Sequence, residues 1–157
     1  MESNIVCENG LTKLIKYYPN YEVTLPWYQD RQLVKQVDNR DQPYDIERLK
    51  RMYTYLDQHG DLFYIEYDHT LCGDVCLQDS GEIAIVISPR YQNKHIGRTV
   101  IYMIIDLAKQ KGFSSVYARI YPFNIQSKTM FESLGFINTD NDKYVLELHG
   151  ISGQTMV

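Results

Sequence analysis

The chain has no apolar run near the roughly 18 residues that would suggest a membrane-spanning helix. It has no basic excess either: 16 Lys and Arg stand against 20 Asp and Glu, a formal net charge of −4. Nucleic-acid binders draw much of their affinity from neutralising phosphates, so this balance argues against such a partner, and the missing apolar run argues against a membrane partner. Cysteine is scarce, with three in the chain. Cys72 and Cys76 lie four apart, and no second Cys or His pair stands at a zinc spacing, so no metal is expected. Both read as small core residues on one face of a strand. There are no repeats and no low-complexity tracts. Residues 1–10 are polar and acidic, unlike a basic-then-apolar signal peptide, and a cytoplasmic location is the expectation that follows. No Ser–His–Asp order or Cys–His pair suggests covalent catalysis. His59 and His69 fall in turns and read as solvated.

What is present suits one globular domain. The chain has 157 residues, 44% of them hydrophobic, enough for a core of its own. Tyrosine is abundant, with 14 residues, most of them before residue 70. They read first as an aromatic core and second as the lining of a substrate pocket. Trp27 reads as an anchor for the first helix or a wall of the acceptor site.

Residues 11–17 read as a first strand or a loose extension. Pro26 suits a first helical position, so residues 26–37 read as a helix. Residues 38–44, with Pro43, read as a loop. Asp45 can cap a helix over 45–59, whose Ile46, Leu49, Met52, Tyr53 and Leu56 recur at helical spacing, and Gly60 supplies the stop. Residues 62–67 and 71–78 read as a hairpin turning at Asp68, His69 and Thr70, and Asp79-Ser80-Gly81 is a second turn. Residues 83–87 have the apolar run of a strand buried on both faces. A largely buried helix follows over 99–111, ended by Gly112, then a strand over 115–121 ended by Pro122. A further helix spans 125–134, with Gly135 at a left-handed cap and Phe136 packed back on Phe131. Short strands over 136–139 and 143–148 and a frayed tail over 149–157 complete the chain. Strand, helix, strand over 83–121 implies a right-handed crossover and two parallel strands, in a mixed α/β (α+β) fold.

The segment Gln92-Asn93-Lys94-His95-Ile96-Gly97-Arg98-Thr99 carries the chemistry. It joins a buried strand to a buried helix, where free backbone N–H groups and the helix dipole attract an anion. Gly97 allows close approach of the backbone, and Lys94 and Arg98 add positive charge. The segment resembles the acyl-CoA pyrophosphate loop of the GNAT acetyltransferase family, Gln/Arg-x-x-Gly-x-Gly/Ala. Glu82-Ile83-Ala84-Ile85-Val86-Ile87-Ser88-Pro89 looks like that family's fourth strand. Asn124, Ser127 and Phe131-Glu132-Ser133-Leu134-Gly135-Phe136 resemble its second motif. Order and separations agree over residues 81–136.

The resemblance implies a mixed, mostly antiparallel sheet with a central pair of splayed parallel strands flanked by helices. It implies one acetyltransferase domain over 1–157, with an acetyl-CoA-binding core at about 81–136 and a variable acceptor-site region over 1–60. Acetyl-CoA would be the co-substrate and a small-molecule amine the acceptor, with room for a homodimer. Main-chain groups near Val86 and Ile87 would hold the pantetheine arm, and an N–H near Val86 would polarise the thioester. The amides from Asn93 to Arg98 would receive the pyrophosphate; Asn124 and Ser127 would bond the splayed strands or the CoA arm, and Phe131 would lie beside the thioester. An alkylamine with a pKa of about 10.4 must lose a proton to attack, and Glu82 is the candidate base. Two residues depart from the family pattern. His95 replaces a loop glycine, and Phe131 stands where many members carry a proton-donating Tyr; either the thiolate leaves without help, which a thiol pKa of about 8.5 allows, or another donor serves, with Tyr121 the candidate. Alternatives are acetylation of protein N-termini or lysines, and a non-catalytic acyl-CoA sensor. A phosphate-binding P-loop ranks last, because its Gly-x-x-x-x-Gly-Lys-Ser/Thr spacing is missing.

Overall fold

A computed structural model describes residues 5–148; the tail over 149–157 lies outside them. Five strands form one antiparallel sheet in sequence order: β1 (Ile5–Asn9), β2 (Thr12–Lys16), β3 (Gly60–Tyr67), β4 (Thr70–Gln78) and β5 (Ile83–Ile87). A second sheet has the order β6 (Ser115–Arg119), β8 (Lys143–Glu147), β7 (Ile137–Asp140). The helices are α1 (Tyr21–Tyr28), α2 (Arg31–Asp38), α3 (Ile46–His59), α4 (Ile96–Gln110) and α5 (Ile125–Ser133). None of the described helices is long and apolar enough to cross a membrane.

The sheets meet at one point. Glu82 and Tyr117 form an isolated parallel bridge, and the Tyr117 N–H donates to the Gly81 carbonyl at 3.0 Å. Beyond it β5 and β6 part. Gly81 is required at this pivot: its φ is 98°, and a Cβ there would lie 3.2 Å from the Ser115 carbonyl oxygen, forcing the strands apart too early. This is the splayed parallel pair expected from the sequence.

Strand alternation divides the core. Odd positions such as Phe63, Ile65, Val75, Leu77 and Ile83 meet Val100, Ile101 and Ile104 of α4. Even positions such as Leu62, Tyr64, Cys76 and Val86 meet Tyr28, Leu33, Val34, Leu49 and Tyr53 of α1–α3. Val100, Ile101 and Ile104 are each fully buried; removing such side chains from water stabilises by about 1.5–3 kcal/mol each.

Several expectations need correction. Residues 26–37 are not one helix. Pro26 lies inside α1, where it cannot donate to the Glu22 carbonyl; the helix ends two residues later and the chain breaks at Gln29 and Asp30. Asp30 then caps α2 by accepting from the Leu33 N–H at 2.9 Å. Gly60 is extended rather than left-handed, with φ 177°; its reason is crowding, since a Cβ would lie 2.5 Å from the Leu77 carbonyl oxygen. The helix expected from Thr99 begins at Ile96, so Gly97 and Arg98 lie in its first turn. The polar N-terminal stretch contains β1, which pairs with β2. Cys72 and Cys76 are both buried but face opposite sides of the sheet. The register with β3 slips between Ile65 and Glu66, so Cys72 is an extra residue in β4 and the alternation inverts there. Asp68 and His69, both with positive φ, make the two-residue turn of that hairpin.

Gly73 follows the bulge, and a Cβ on it would lie 2.1 Å from the Val86 carbonyl oxygen. Gly73→Ala is therefore expected to lower stability by about 1–3 kcal/mol, or Tm by roughly 3–10 °C. Thermal unfolding followed by circular dichroism measures this; an unchanged Tm would mean that β4 and β5 yield freely at this point.

Candidate active site

A cleft and a cavity adjoin where β5 and β6 part. The cleft, about 430 Å³, is bordered by Ile85, Ile87, Asn93, His95, Gly97 and Arg98. The cavity, about 330 Å³, lies between the sheet and α1–α3 and is lined by Tyr28, Tyr44, Asp74, Glu82, Tyr121 and Phe131, among others. Ile85, Val86, Asn124 and Ser127 border both.

The loop into α4 is built for an anion. His95 caps the helix with φ 66° and no side-chain hydrogen bond, and Asn93 is also left-handed at 62°. His95, which replaces a loop glycine of the family pattern, thus bears a positive φ. Among the described residues, no backbone or side-chain acceptor takes the amides of Asn93, Lys94, His95, Ile96, Gly97 or Arg98; Thr99 is the first whose N–H bonds back, to the His95 carbonyl at 3.2 Å. Bare amides at a helix N-terminus, with the dipole behind them, attract negative charge. Gly97 leaves the surface flat; a Cβ there would lie 3.7 Å from Met130 Cε and 3.9 Å from Ile87 Cγ1. Arg98 is tethered between the Ser133 hydroxyl and the Tyr102 ring.

Other loop residues are employed differently. Gln92 Nε2 donates to the Ile87 carbonyl at 2.9 Å and faces Gln36 of α2 at 3.4 Å, so it braces the loop against β5. The Ile96 side chain is buried in the α4 core, and only its amide is free for a ligand. The Thr99 hydroxyl donates to the His95 carbonyl at 3.2 Å. Lys94 is exposed and outside the cleft lining. Asn124 caps α5 by accepting from the Ser127 N–H at 3.3 Å, which sets both residues at the junction of cleft and cavity.

Register identifies the main-chain groups that face the gap. In β4–β5, Gln78 donates to Glu82 and Ser88 donates to Cys72, so even residues of β5 exchange their bonds with β4. The Val86 amide therefore pairs with Asp74, and the gap-facing amides are those of Ile85 and Ile87. The unpaired main-chain N–H groups near Val86 are therefore those of its two neighbours.

The cavity is acidic. Asp74 is almost fully buried, with 3% of its surface exposed, and accepts from Tyr28 Oη at 2.7 Å and Tyr53 Oη at 2.8 Å, both on Oδ2. Burial raises its carboxyl to about 6, against the two phenol hydrogen bonds, which favour the charged form. Glu82 is half-buried, and burial raises its carboxyl, opposed by Arg119 and assisted by Asp142. Tyr121 stacks on Phe123 at 5.7 Å; burial raises its phenol, and Asp38 and Asp142 raise it further. Asp142 is paired with Arg119 at 3.1 Å, and Asp38 with Arg48 at 3.2 Å. Phe131 lies in the cavity wall, edge-on to Phe136 with ring centroids 5.0 Å apart. Asp74, Tyr28 and Tyr53 escaped the sequence reading. A lone Asp among the strand residues Leu71-Cys72-Gly73-Asp74-Val75-Cys76 was the available signal, since a charge in an apolar strand needs partners.

Residues 21–136 match the family model described as Acetyltransferase (GNAT) family. An uncharacterised protein of Methanocaldococcus jannaschii is 40% identical over 62 residues, 39% of this chain but 13% of that protein. A domain structure from the same organism superposes with a TM-score of 0.77 at 23% identity, covering 87% of this chain and 98% of the other. The spermidine N-acetyltransferase of Vibrio cholerae, solved in complex with CoA and spermine, superposes with a TM-score of 0.71 at 19% identity, covering 87% of this chain and 93% of the other.

The α5 cap generates a prediction of its own. Asn124→Ala removes the side-chain acceptor for the Ser127 amide and is expected to cost about 1 kcal/mol. Urea unfolding should show a lower midpoint at an unchanged slope; an unmoved midpoint would mean that tertiary packing alone holds the first turn of α5.

Proposed function

The chain belongs to the GNAT acetyltransferase family, and from that membership we propose that it moves an acetyl group from acetyl-CoA to a primary amine of a small molecule. The observation that carries this reading is the row of free amides from Asn93 to Arg98 at the mouth of a cleft leading to an acidic cavity. The diphosphate of the co-substrate lies against those amides, and the pantetheine arm runs along the Ile85 and Ile87 main chain into the gap between β5 and β6. The thioester then reaches the junction bordered by Ile85, Val86, Asn124 and Ser127. There the Ile85 N–H polarises the carbonyl, as a donor aimed at developing negative charge.

The amine enters from the cavity. Its nitrogen attacks the carbonyl carbon, the C–N bond forms, and the C–S bond breaks with its electron pair leaving on sulfur. A thiol pKa of about 8.5 makes that sulfur a tolerable leaving group at neutral pH. Tyr121 supplies a hydrogen bond to it rather than a full proton, because its phenol is raised above the ordinary value. A walled cavity of about 330 Å³, lined by Tyr28, Tyr44 and Tyr121, suits a small molecule rather than a protein chain. A related enzyme solved with CoA and spermine acts on such an amine. Binding without transfer is the second reading, favoured by Phe131, whose ring has no proton to give the departing sulfur.

Two measurements test the proposal. Acetyl-CoA incubated with a panel of small amines should release free thiol only in the presence of enzyme, and binding without release for any amine would favour the sensor. Gly97→Glu sets a carboxylate against the diphosphate and is expected to weaken CoA binding by at least about 100-fold, several kcal/mol of charge repulsion in a partly desolvated cleft. Calorimetric titration reads this; unchanged affinity would move the co-substrate elsewhere.

A further inference from the structure

Resting on the acetyltransferase reading, we propose that Asp74 is the group that takes the proton from the attacking amine. The argument begins with position. Donor and acceptor arrive from different spaces, and the residues common to both include Ile85 and Val86. The reacting carbon belongs at that level of β5. Asp74 is the cross-strand partner of Val86, and directly opposed residues project from the same face of the sheet. That face is the one covered by α1–α3, where the cavity lies. Glu82 projects from the same face but four residues back, about 13 Å along the strand at 3.3 Å per residue. It stands at the bridge to Tyr117, where β5 and β6 are still joined.

Chemistry separates the two carboxylates further. Burial raises the Glu82 carboxyl as well, but the positive charge of Arg119 opposes that rise. No cation touches Asp74. The groups that face it are Tyr28 from α1, Tyr53 from α3, Tyr64 opposite it on β3, and Tyr44 and Asp38 at the cavity wall; Glu82, Tyr121 and the Arg119–Asp142 pair line the cavity beyond. Tyr64 donates instead to the Tyr18 carbonyl at 2.6 Å. The two phenols fix Oδ2, and no described side chain donates to Oδ1. Asp74 lines the cavity although almost all of its surface is covered. Raising the carboxyl from 3.8 to about 6 eases proton transfer from an alkylammonium by about a hundredfold.

The step balances. The ammonium gives one proton to Asp74, and the neutral amine attacks. The second proton passes from the new C–N nitrogen to the departing sulfur, leaving amide and free thiol. Asp74 then returns its proton to solvent.

The sign of the pH dependence follows. Asp74 acts as a base only when ionised, so kcat/KM falls as pH drops through about 6. The fold responds in the opposite direction, because a buried carboxyl raised above its unfolded value binds its proton more tightly when folded. Its contribution to stability is greatest below about 3.8 and is lost as pH rises through about 6. Asp74→Asn keeps an acceptor for both phenols and removes the buried charge, so it should melt at or above the wild-type temperature at pH 8.

The experiment compares wild type, Asp74→Asn, Tyr53→Phe and Glu82→Gln in thiol-release kinetics from pH 5 to 9, with acetyl-CoA affinity measured for each. Asp74→Asn is expected to bind acetyl-CoA as wild type does, to lose about 10²–10⁴ in kcat, and to lose the acidic limb. Its residual rate should climb tenfold per pH unit as free amine accumulates. Tyr53→Phe removes one phenol donor from the carboxylate and should move the limb to higher pH. Glu82→Gln should keep the limb and act on KM. If Asp74→Asn turns over like wild type, or if Glu82→Gln is the variant that loses the limb, the assignment of Asp74 is overturned while the acetyltransferase reading stands. If wild type releases no thiol with any amine, that reading falls and this one with it.

Discussion

Two neighbouring parallel strands would ordinarily bond along their whole length. Here β5 and β6 are held at Gly81, Glu82 and Tyr117 and nowhere further along. Backbone groups cannot be buried without partners. Parting the strands therefore creates a demand as well as an opening: the Ile85 and Ile87 amides face a gap and lack a strand to bond. The pivot needs Gly81, because any side chain there would press on Ser115. The cleft, the cavity and their shared border all follow from that single early separation.

The two sides of the gap carry opposite electrostatics. On one side α4 presents bare amides and the positive end of its dipole, with Arg98 beside them. On the other, the sheet face under α1–α3 holds Asp74 and Glu82, neither in an ion pair among the described residues. Such a passage attracts negative charge at one end and positive charge at the other. The charge at Asp74 is tolerated because phenols from two helices converge on it, and those helices owe their position to the same tyrosine-rich core. The core reading of the tyrosines holds for Tyr28 and Tyr53, and Tyr28 also borders the cavity.

Much of the fold was legible along the chain. Asp45 as a cap, Asp68 and His69 as a turn, Gly81, Gly112 and Gly135 in left-handed backbone, and Phe136 folded back on Phe131 all depend on residues a few positions apart. The anion loop was legible for the same reason. Errors arose where a local rule had a second solution. Pro26 can open a helix or sit near the end of one that soon stops, and Asp30 can lie within a helix or cap the next one. A bulge between Leu71 and Gly73 reverses which way Cys72 points, and nothing in the strand's own composition announces that slip.

The sequence by itself determined the order of elements, the strand–loop–helix corner with its free amides, and membership of the family, because each rests on contacts between near neighbours or on a motif of fixed spacing. Only the tertiary structure decided that Asp74 is a buried carboxylate lining the cavity. Asp74 meets Tyr28 and Tyr53 across separations of 46 and 21 residues, and it meets Val86 through a register set by the whole sheet. Such contacts have no periodicity to read. They exist because strands and helices distant in the chain bury their apolar faces together, and the polar groups carried along must find one another in the interior.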